Sequence, residues 1–310
     1  MTTQATSTQQ VIHTKKRSSF LRDDLPGYLF IAPALLLYIV FNIWPLIRGI
    51  LMAFTDYRFV YPETRWAFNG VENFGQLFES SKVRDAALVS AKYALIVVPA
   101  VLIIALFTAI LISRVRQGSG FYRWTVYLPT ILPVAVSFLM FGQMYSLNFG
   151  LINSVLRGLG VEKPPYWLGE VATALPAVGT AHLWIIFGFP TLLFLIGIYN
   201  IGSELYEAAS LDGASLWQQF IYITLPLLKP TTALILILTI PGVFGVTEPM
   251  LILTQGGPQG STQSLGYYLY DIAFVRGDLR LGYASAISLS VSLVTAALVA
   301  LIFRWSRERE

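Results

Sequence analysis

Six stretches of the chain run without a single Asp, Glu, Lys or Arg: Leu25 to Ile47, Tyr93 to Ser113, Trp124 to Leu156, Val171 to Ser203, Pro230 to Thr247 and Leu281 to Phe303. Each meets or approaches the ~20 apolar residues that cross a hydrocarbon layer of ~30 Å. In such a layer no water serves the peptide groups, so every N–H and C=O must be bonded within the protein, and a spanning segment of this kind becomes a helix. The sequence therefore predicts an all-α integral membrane protein with six transmembrane helices. With 55% hydrophobic and 12% charged residues, most of the 310-residue chain is unsuited to the surface of a water-soluble fold.

Several classes of function are excluded by what is missing. There is no GxxxxGK[ST] loop, nor any polar stretch long enough for a nucleotide-binding domain, so the chain is not expected to hydrolyse ATP or to act as an enzyme. Cysteine is absent, which removes disulfides and thiolate metal sites. The two histidines, His13 and His182, lie far apart without metal-ligand spacing, so no metal site is expected. A net charge of +4 reads as contact with acidic lipid rather than with nucleic acid.

An even number of spans places both termini on one side of the membrane. Eleven basic residues fall on that side and ten on the other, which decides nothing. Placement is more informative: Lys15, Lys16 and Arg17 precede the first span, "RVRQGSGFYR" holds Arg114, Arg116 and Arg123 without an acid, and "RWSRERE" follows the last span. Positive charge collects on the cytoplasmic side, so both termini are expected there. The resulting division is a cytoplasmic tail over 1–24, a first helix with its external loop over 25–87, a core of five helices over 88–304, and a short tail over 305–310. The polar, basic N-terminal segment reads as a tail rather than as a cleaved signal. The external loop "LTQGGPQGSTQSLGYYLYDIAF" mixes turn residues with aromatic ones, which suits a segment packed on the mouth of the bundle.

Proline recurs in the spans, at Pro99, Pro129, Pro133, Pro176, Pro190, Pro241 and Pro249, and predicts kinks. Such kinks border cavities in some membrane proteins and are simply common in others. In the last span Ser285, Ser288, Ser292 and Thr295 share a face, which predicts a helix–helix seam or, alternatively, a solute contact. His182 and Glu248 are the ionisable side chains read as lying inside spans, where such groups face a cavity or a partner.

Between the fourth and fifth spans lies an organised insert, 203–226, with the sequence "EAASLDGASLWQQFIYITLP" from Glu207 to Pro226. Ser203 is expected to cap a helix from Glu204 to Leu211. Gly213 then ends it in the left-handed conformation, and Ser215 with Gln218 forms a capping box for a second helix. The second helix presents Leu216, Phe220 and Ile223 on its apolar face, and Pro226 marks the return to the membrane. From Tyr199 to Lys229 the segment carries Glu204, Glu207 and Asp212 against one lysine, which points to a basic protein partner. The residues alone leave two readings open, an amphipathic hairpin lying on the bilayer without a partner, or a docking element.

The insert resembles the EAA signature of ATP-binding-cassette importer permeases, matching EAA-x3-G-x9-I-x-LP at Glu207, Ala208, Ala209, Gly213, Ile223, Leu225 and Pro226. Further features resemble the carbohydrate branch, the maltose-type and glycerol-phosphate-type first permease subunits. They are "LPTILP" in the third span, "FGLIN" after it, "FGFP" in the fourth, "DGA" within the signature, "LTQGGP" after the fifth and "GYASAIS" opening the sixth, together covering about Leu88 to Phe303.

The resemblance implies a type I importer fold, a second permease subunit, two ATPase subunits that use ATP and Mg²⁺, and an extracytoplasmic solute-binding protein, in a bacterial or archaeal cytoplasmic membrane. It also implies that Glu207, Ala208, Ala209, Asp212, Gly213, Ala214, Phe220, Ile223, Leu225 and Pro226 form the ATPase-coupling element. Thr130, Trp184, Gly188, Thr239 and Val243 match solute-lining places, and Glu248 joins them as an embedded acid. Trp184 and Thr239 suit a sugar, whereas Val243 departs from the hydrogen-bonding residue expected there. The alternatives are the same machine carrying glycerol phosphate or another polar solute, and an ion-coupled secondary transporter with Glu248 at its ion site.

Overall fold

The computed structural model describes residues 25–307 apart from Pro62, Thr64, Arg65 and Arg116. The expected tail over 1–24, with His13 and the basic cluster Lys15 to Arg17, and residues 308–310 lie outside the described residues. Contacts divide the chain into two units, Met1–Gly49 and Ile50–Glu310.

The first unit holds α1 (Leu25–Tyr38), a π turn (Ile39–Ile43) and the beginning of α2 (Trp44–Met52). The helical run Gly27–Met52 is long and apolar enough to cross a membrane and buries none of its side chains. A helix that is apolar all round suits lipid on every face.

The second unit is built on α4 (Ser81–Ser113), preceded by the short α3 (Glu72–Glu79). The charge-free run underestimates this span, since α4 begins twelve residues before Tyr93 and includes Lys82, Arg84, Asp85 and Lys92. Charged side chains in roughly the first third of a long helix reach polar surroundings while their stems cover apolar surface, so they need not end a span. Ser80 caps α4 by accepting the Val83 N–H at 3.3 Å. Pro99 sits inside this helix without breaking it.

Three spans are bent instead of straight. The run expected over Trp124 to Leu156 is α5 (Ser119–Ile131) and α6 (Val134–Met144), at 94° to each other, followed by a separate α7 (Leu151–Gly158). The break falls at Leu132, whose extended backbone (φ −67°, ψ 145°) is the conformation imposed on a residue before proline, here Pro133. The fourth span is α8 (Val171–Ile186) and α9 (Gly188–Tyr199), bent by 51° at Phe187, where Pro190 removes a donor and crowds the Ile186 carbonyl. Pro176 and Pro241 lie within helices that continue through them, and Pro249 sits in the first turn of its helix. If each bent pair counts as one crossing, the chain has six candidate spans.

The remaining elements are α10 (Ser203–Leu211), α11 (Leu216–Gln219), a π turn (Phe220–Thr224), α12 (Leu225–Leu227), α13 (Lys229–Phe244), α14 (Glu248–Leu253), α15 (Leu265–Tyr270), a second π turn (Asp271–Val275) and α16 (Leu281–Arg307). Helix α4 is the hub, with α8, α9, α13 and α15 packed around it. Small residues make this possible, because Ala105 and Ala109 are fully buried against Phe194, Leu228 and Ile235. The buried face of α16 is Gly282, Tyr283, Ala284, Ala286, Ile287 and Thr295. The expected seam is split within the chain: Thr295 is buried and Ser285 half-buried, whereas its middle is not packed. Ser288 and Ser292 are exposed, and Ser292 bonds the Ser288 carbonyl of its own helix at 2.8 Å.

The loop after α14 is packed, as its composition predicts. Thr262 and Ser264 are fully buried, with Thr262 Oγ1 donating to the Gly257 carbonyl at 2.7 Å and Ser264 Oγ to the Val246 carbonyl at 2.9 Å. Ser90 of α4 accepts the Leu265 N–H at 2.8 Å, which ties the loop to the hub.

Candidate functional site

The insert is a helix, a glycine turn and a second helix. Helix α10 ends in a pair of bonds that satisfy its last carbonyls, Ala214 N–H to Ala209 C=O at 2.9 Å and Gly213 N–H to Ser210 C=O at 3.1 Å. Gly213 makes this geometry possible with φ of +78°, a conformation that side chains disfavour. Ser215 and Gln218 form the expected capping box, with Ser215 Oγ accepting the Gln218 N–H at 3.3 Å and Gln218 Oε1 accepting the Ser215 N–H at 2.7 Å. The start of α10 departs from expectation, because Gly202 is the N-cap residue and Ser203 is already helical. The Glu204 carboxylate folds back over Gly202, a position that a side chain on residue 202 would block.

Two ties stiffen the insert. Gln219, 8% exposed, donates to Ser210 Oγ at 2.9 Å and to the Ala214 carbonyl at 3.3 Å. Tyr206 and Thr224 share a hydroxyl–hydroxyl bond of 2.9 Å between the two limbs. These bonds fold the polar interior inward and leave Glu207, Ala208, Asp212 and Gly213 on the outside, with Ala209, Ala214, Phe220 and Ile223 half-buried. Leu211, Leu216 and Trp217 stand 90%, 67% and 68% exposed, and Leu225 and Pro226 are exposed on the second limb. A cleft of about 490 Å³ opens at the root of the insert, among Ile110, Ser113, Tyr199, Tyr206 and Gln219.

The second limb continues into the membrane. The helical run Leu216–Leu227 meets α13 at a bend of 60° centred on Leu228. Pro230 removes a donor there and its ring crowds the carbonyl four residues back. The bend is packed against α9 because Gly197 lacks a side chain, and a Cβ at that position would lie 2.7 Å from Leu228 Cδ2 and 2.8 Å from Thr231 Oγ1. The insert is thus joined to the fifth span at a close-packed elbow.

At mid-bundle a cavity of about 400 Å³ lies among α5, α8, α9 and α13. Thr130, Thr239 and Val243, three of the positions matched to solute-lining places, line it. Trp184 does not line this cavity; its ring packs edge-on against Phe141, with centroids 5.5 Å apart, and the aromatic wall is Phe189 instead. Gly188 is buried beside the cavity and permits the crossing of α5 and α9, since a Cβ there would overlap the Val126 carbonyl and lie 3.1 Å from Thr130 Oγ1. Glu248 is outside it, exposed in the first turn of α14, where the helix dipole favours an acid. Among the described lining residues no Lys, Arg, Asp or Glu occurs, and the polar side chains are Thr130, Thr239 and His182.

Sequence reasoning singled out His182 as ionisable but gave it no site. Its Nδ1 lies 2.8 Å from the Tyr93 hydroxyl, and the two rings stack with an interplanar angle of 7°. Tyr93 was not singled out at all. These residues are 89 positions apart, and only the packing of α4 on α8 brings them together. Gln219 and Gly197 were missed for the same reason, although the small size of Gly197 in an apolar span is a signal of close packing.

The model of the family described as "Binding-protein-dependent transport system inner membrane component" matches residues 78–308. The chain is 33% identical to a probable ABC transporter permease protein, YurN, of Bacillus subtilis, over 87% of this chain and 92% of that protein. It is 33% identical to the trehalose/maltose transport system permease protein MalF of Thermococcus litoralis (90% and 93% covered). It is 32% identical to the diacetylchitobiose uptake system permease protein NgcF of Streptomyces coelicolor (90% and 81% covered). Its fold matches a chain of a bacterial ABC transporter for import of the acidic polysaccharide alginate, with a TM-score of 0.77 at 24% identity, over 93% of this chain and 97% of that one. The bent spans, the stiff insert and these matches have one account: the chain belongs to the family of binding-protein-dependent transport system inner membrane components, the permeases of ABC transporters.

Proposed function

We propose that this chain is a transmembrane subunit of an ATP-driven, binding-protein-dependent carbohydrate importer. It pairs with a second permease, receives solute from an extracytoplasmic binding protein and is driven through its insert by a separate ATPase. The observation that carries the mechanical part is the 203–226 insert, internally bonded yet presenting Glu207, Asp212, Leu211 and Trp217 outward. A hairpin lying on lipid would turn its apolar side to the membrane and its acids to water. A mixed acidic and apolar tip on a stiff base suits a cleft on a protein with basic residues, as one on an ATPase would supply. With both termini in the cytoplasm, the insert faces that compartment.

Closure of two ATPases on ATP would draw the inserts of two permeases together, and the elbow at Leu228 would pass that movement to α13, which forms one wall of the cavity. Neutral carbohydrate is favoured over a phosphorylated solute by the absence of cationic side chains among the cavity residues. Named relatives carry trehalose, maltose and diacetylchitobiose, and this supports the same solute class. Glu248 is not among the residues that line the cavity, although it lies near enough to His182 to interact with it electrostatically, and this favours a neutral solute path over an ion site built on that acid.

The test is transport by the full complex of permease pair, ATPases and binding protein in liposomes. Uptake of a labelled disaccharide is expected to require ATP hydrolysis. Uptake driven by a sodium or proton gradient without nucleotide would reject the proposal.

A further inference from the structure

We infer that His182 donates a hydrogen bond from Nε2 to the transported solute, and that Tyr93 fixes it in that role by selecting its tautomer. The inference rests on the reading that the mid-bundle cavity carries the solute, and deepens it to a single atom.

Tyr93 is fully buried, and its ring forms part of the cluster of Val97, Val101, Val178 and Met250. A buried phenolic O–H needs an acceptor, and leaving it unpaired costs ~1–3 kcal/mol. The acceptor on its side of the bundle is His182 Nδ1 at 2.8 Å. The reverse arrangement, with Nδ1–H donating to the phenolic oxygen, would leave the tyrosine proton without an acceptor among the described contacts of its hydroxyl. Tyr93 therefore donates, Nδ1 accepts, and a neutral imidazole with Nδ1 as acceptor carries its proton on Nε2.

The ring is held in place on more than one side. It stacks on Tyr93 with centroids 6.0 Å apart and packs against Phe138 at 6.2 Å with an interplanar angle of 55°. His182 reaches the cavity wall and Tyr93 does not. The three polar lining side chains have different duties. The Thr130 hydroxyl proton is committed to the Ile185 carbonyl at 3.0 Å. That leaves His182 Nε2–H and the Thr239 hydroxyl as donors in a wall otherwise made of Val134, Ile186, Phe189, Leu193 and similar residues. A hydroxylated solute entering so apolar a wall must have its oxygens paired, because an unpaired buried hydroxyl is costly. A fixed N–H at one point then selects solutes that present a lone-pair oxygen there, as a polyol does.

The test uses the full complex and whichever of maltose, trehalose and diacetylchitobiose it takes up, with equilibrium binding of that labelled sugar to the permease–ATPase complex lacking the binding protein. Leaving the binding protein out reports the membrane site alone. His182→Phe, which keeps a ring in the stack, is expected to weaken binding about tenfold, the equivalent of one hydrogen bond. His182→Gln places an amide N–H near the Nε2 position and is expected to restore most of the affinity. Tyr93→Phe touches no cavity wall, yet it frees Nδ1 to take the proton and is expected to weaken binding several-fold, with no added effect in the His182→Phe background. Nitrogen NMR of the complex, assigned by the signals lost in His182→Gln, is expected to show protonated Nε2 and unprotonated Nδ1. Unchanged binding in His182→Phe, or a protonated Nδ1, would overturn the inference while leaving ATP-driven sugar uptake intact. A complex whose ATP-driven uptake is confined to solutes that are not carbohydrates would reject the carbohydrate reading and the donor role with it.

Discussion

Gln219 reaches across the glycine turn and donates to Ser210 Oγ at 2.9 Å, closing the two limbs of the insert into one body. Ser210 in turn donates to the Tyr206 carbonyl at 2.7 Å, and Tyr206 bonds Thr224 on the second limb. A side-chain chain of this kind makes one body of two short helices that would not be stable separately, since helices shorter than ~12 residues are marginal in water.

Gln219→Ala removes both of the bonds that this side chain donates. The expected cost is roughly 1–3 kcal/mol of local stability. Hydrogen exchange over 203–219 is expected to accelerate while the spans keep their protection. ATPase stimulation by the loaded binding protein should fall, although the complex still assembles.

Gly213 tests backbone conformation without steric clash, because no atom lies within 4 Å of where its Cβ would be. Gly213→Val forces a β-branched residue to φ of +78° and is expected to cost about 1–2 kcal/mol and to uncouple uptake from ATP hydrolysis. Gly213→Asn, which tolerates the left-handed region, is expected to retain most of the coupling. Equal loss in both variants would show that contact with the ATPase, and not the turn, sets the requirement.

At Gly188 the constraint is space. An added methyl meets the Val126 carbonyl, a backbone atom that cannot rotate away. Gly188→Ala is expected to push α5 from α9, lower thermal stability by roughly 1–3 kcal/mol and abolish uptake. Differential scanning fluorimetry in detergent and liposome uptake check the two halves of this expectation.

Asn73 tests the segment outside the cavity. Buried at the foot of α3, its Nδ2 donates to the carbonyls of Ala53 and Thr55, both at 2.9 Å. Asn73→Ala leaves two buried acceptors without this partner, at an expected cost of about 1–3 kcal/mol. The unfolding midpoint should drop, while uptake at low temperature stays close to wild type.

Much of the architecture is legible in the amino acids because the bilayer allows few solutions. Charge-free runs of sufficient length must be helices, and the capping box at Ser215 and the glycine at 213 are local devices whose geometry depends on neighbours within five residues. The outline of the insert could therefore be read from the sequence, but the cap falls at Gly202 and not Ser203, and on the second limb Gln219 and Thr224 are buried while Leu216, expected on an apolar face, is exposed. Proline was less informative. Pro133 breaks a span, Pro190 and Pro230 follow breaks, and Pro99 sits in an unbroken helix, because the outcome depends on whether neighbouring elements favour the bend.

By itself the sequence determined that this chain crosses a membrane, that an organised polar hairpin interrupts it, and that this hairpin matches a known signature. Only the tertiary structure decided which side chains meet the cavity, admitting His182 and Phe189, withdrawing Trp184 and leaving Glu248 outside. The physical reason is range. Helix formation and capping are settled by atoms a few residues apart, whereas the wall of a cavity is set by the rotation of each helix about its axis. That rotation is fixed by contacts between distant positions, such as Tyr93 with His182 and Gly197 with Leu228.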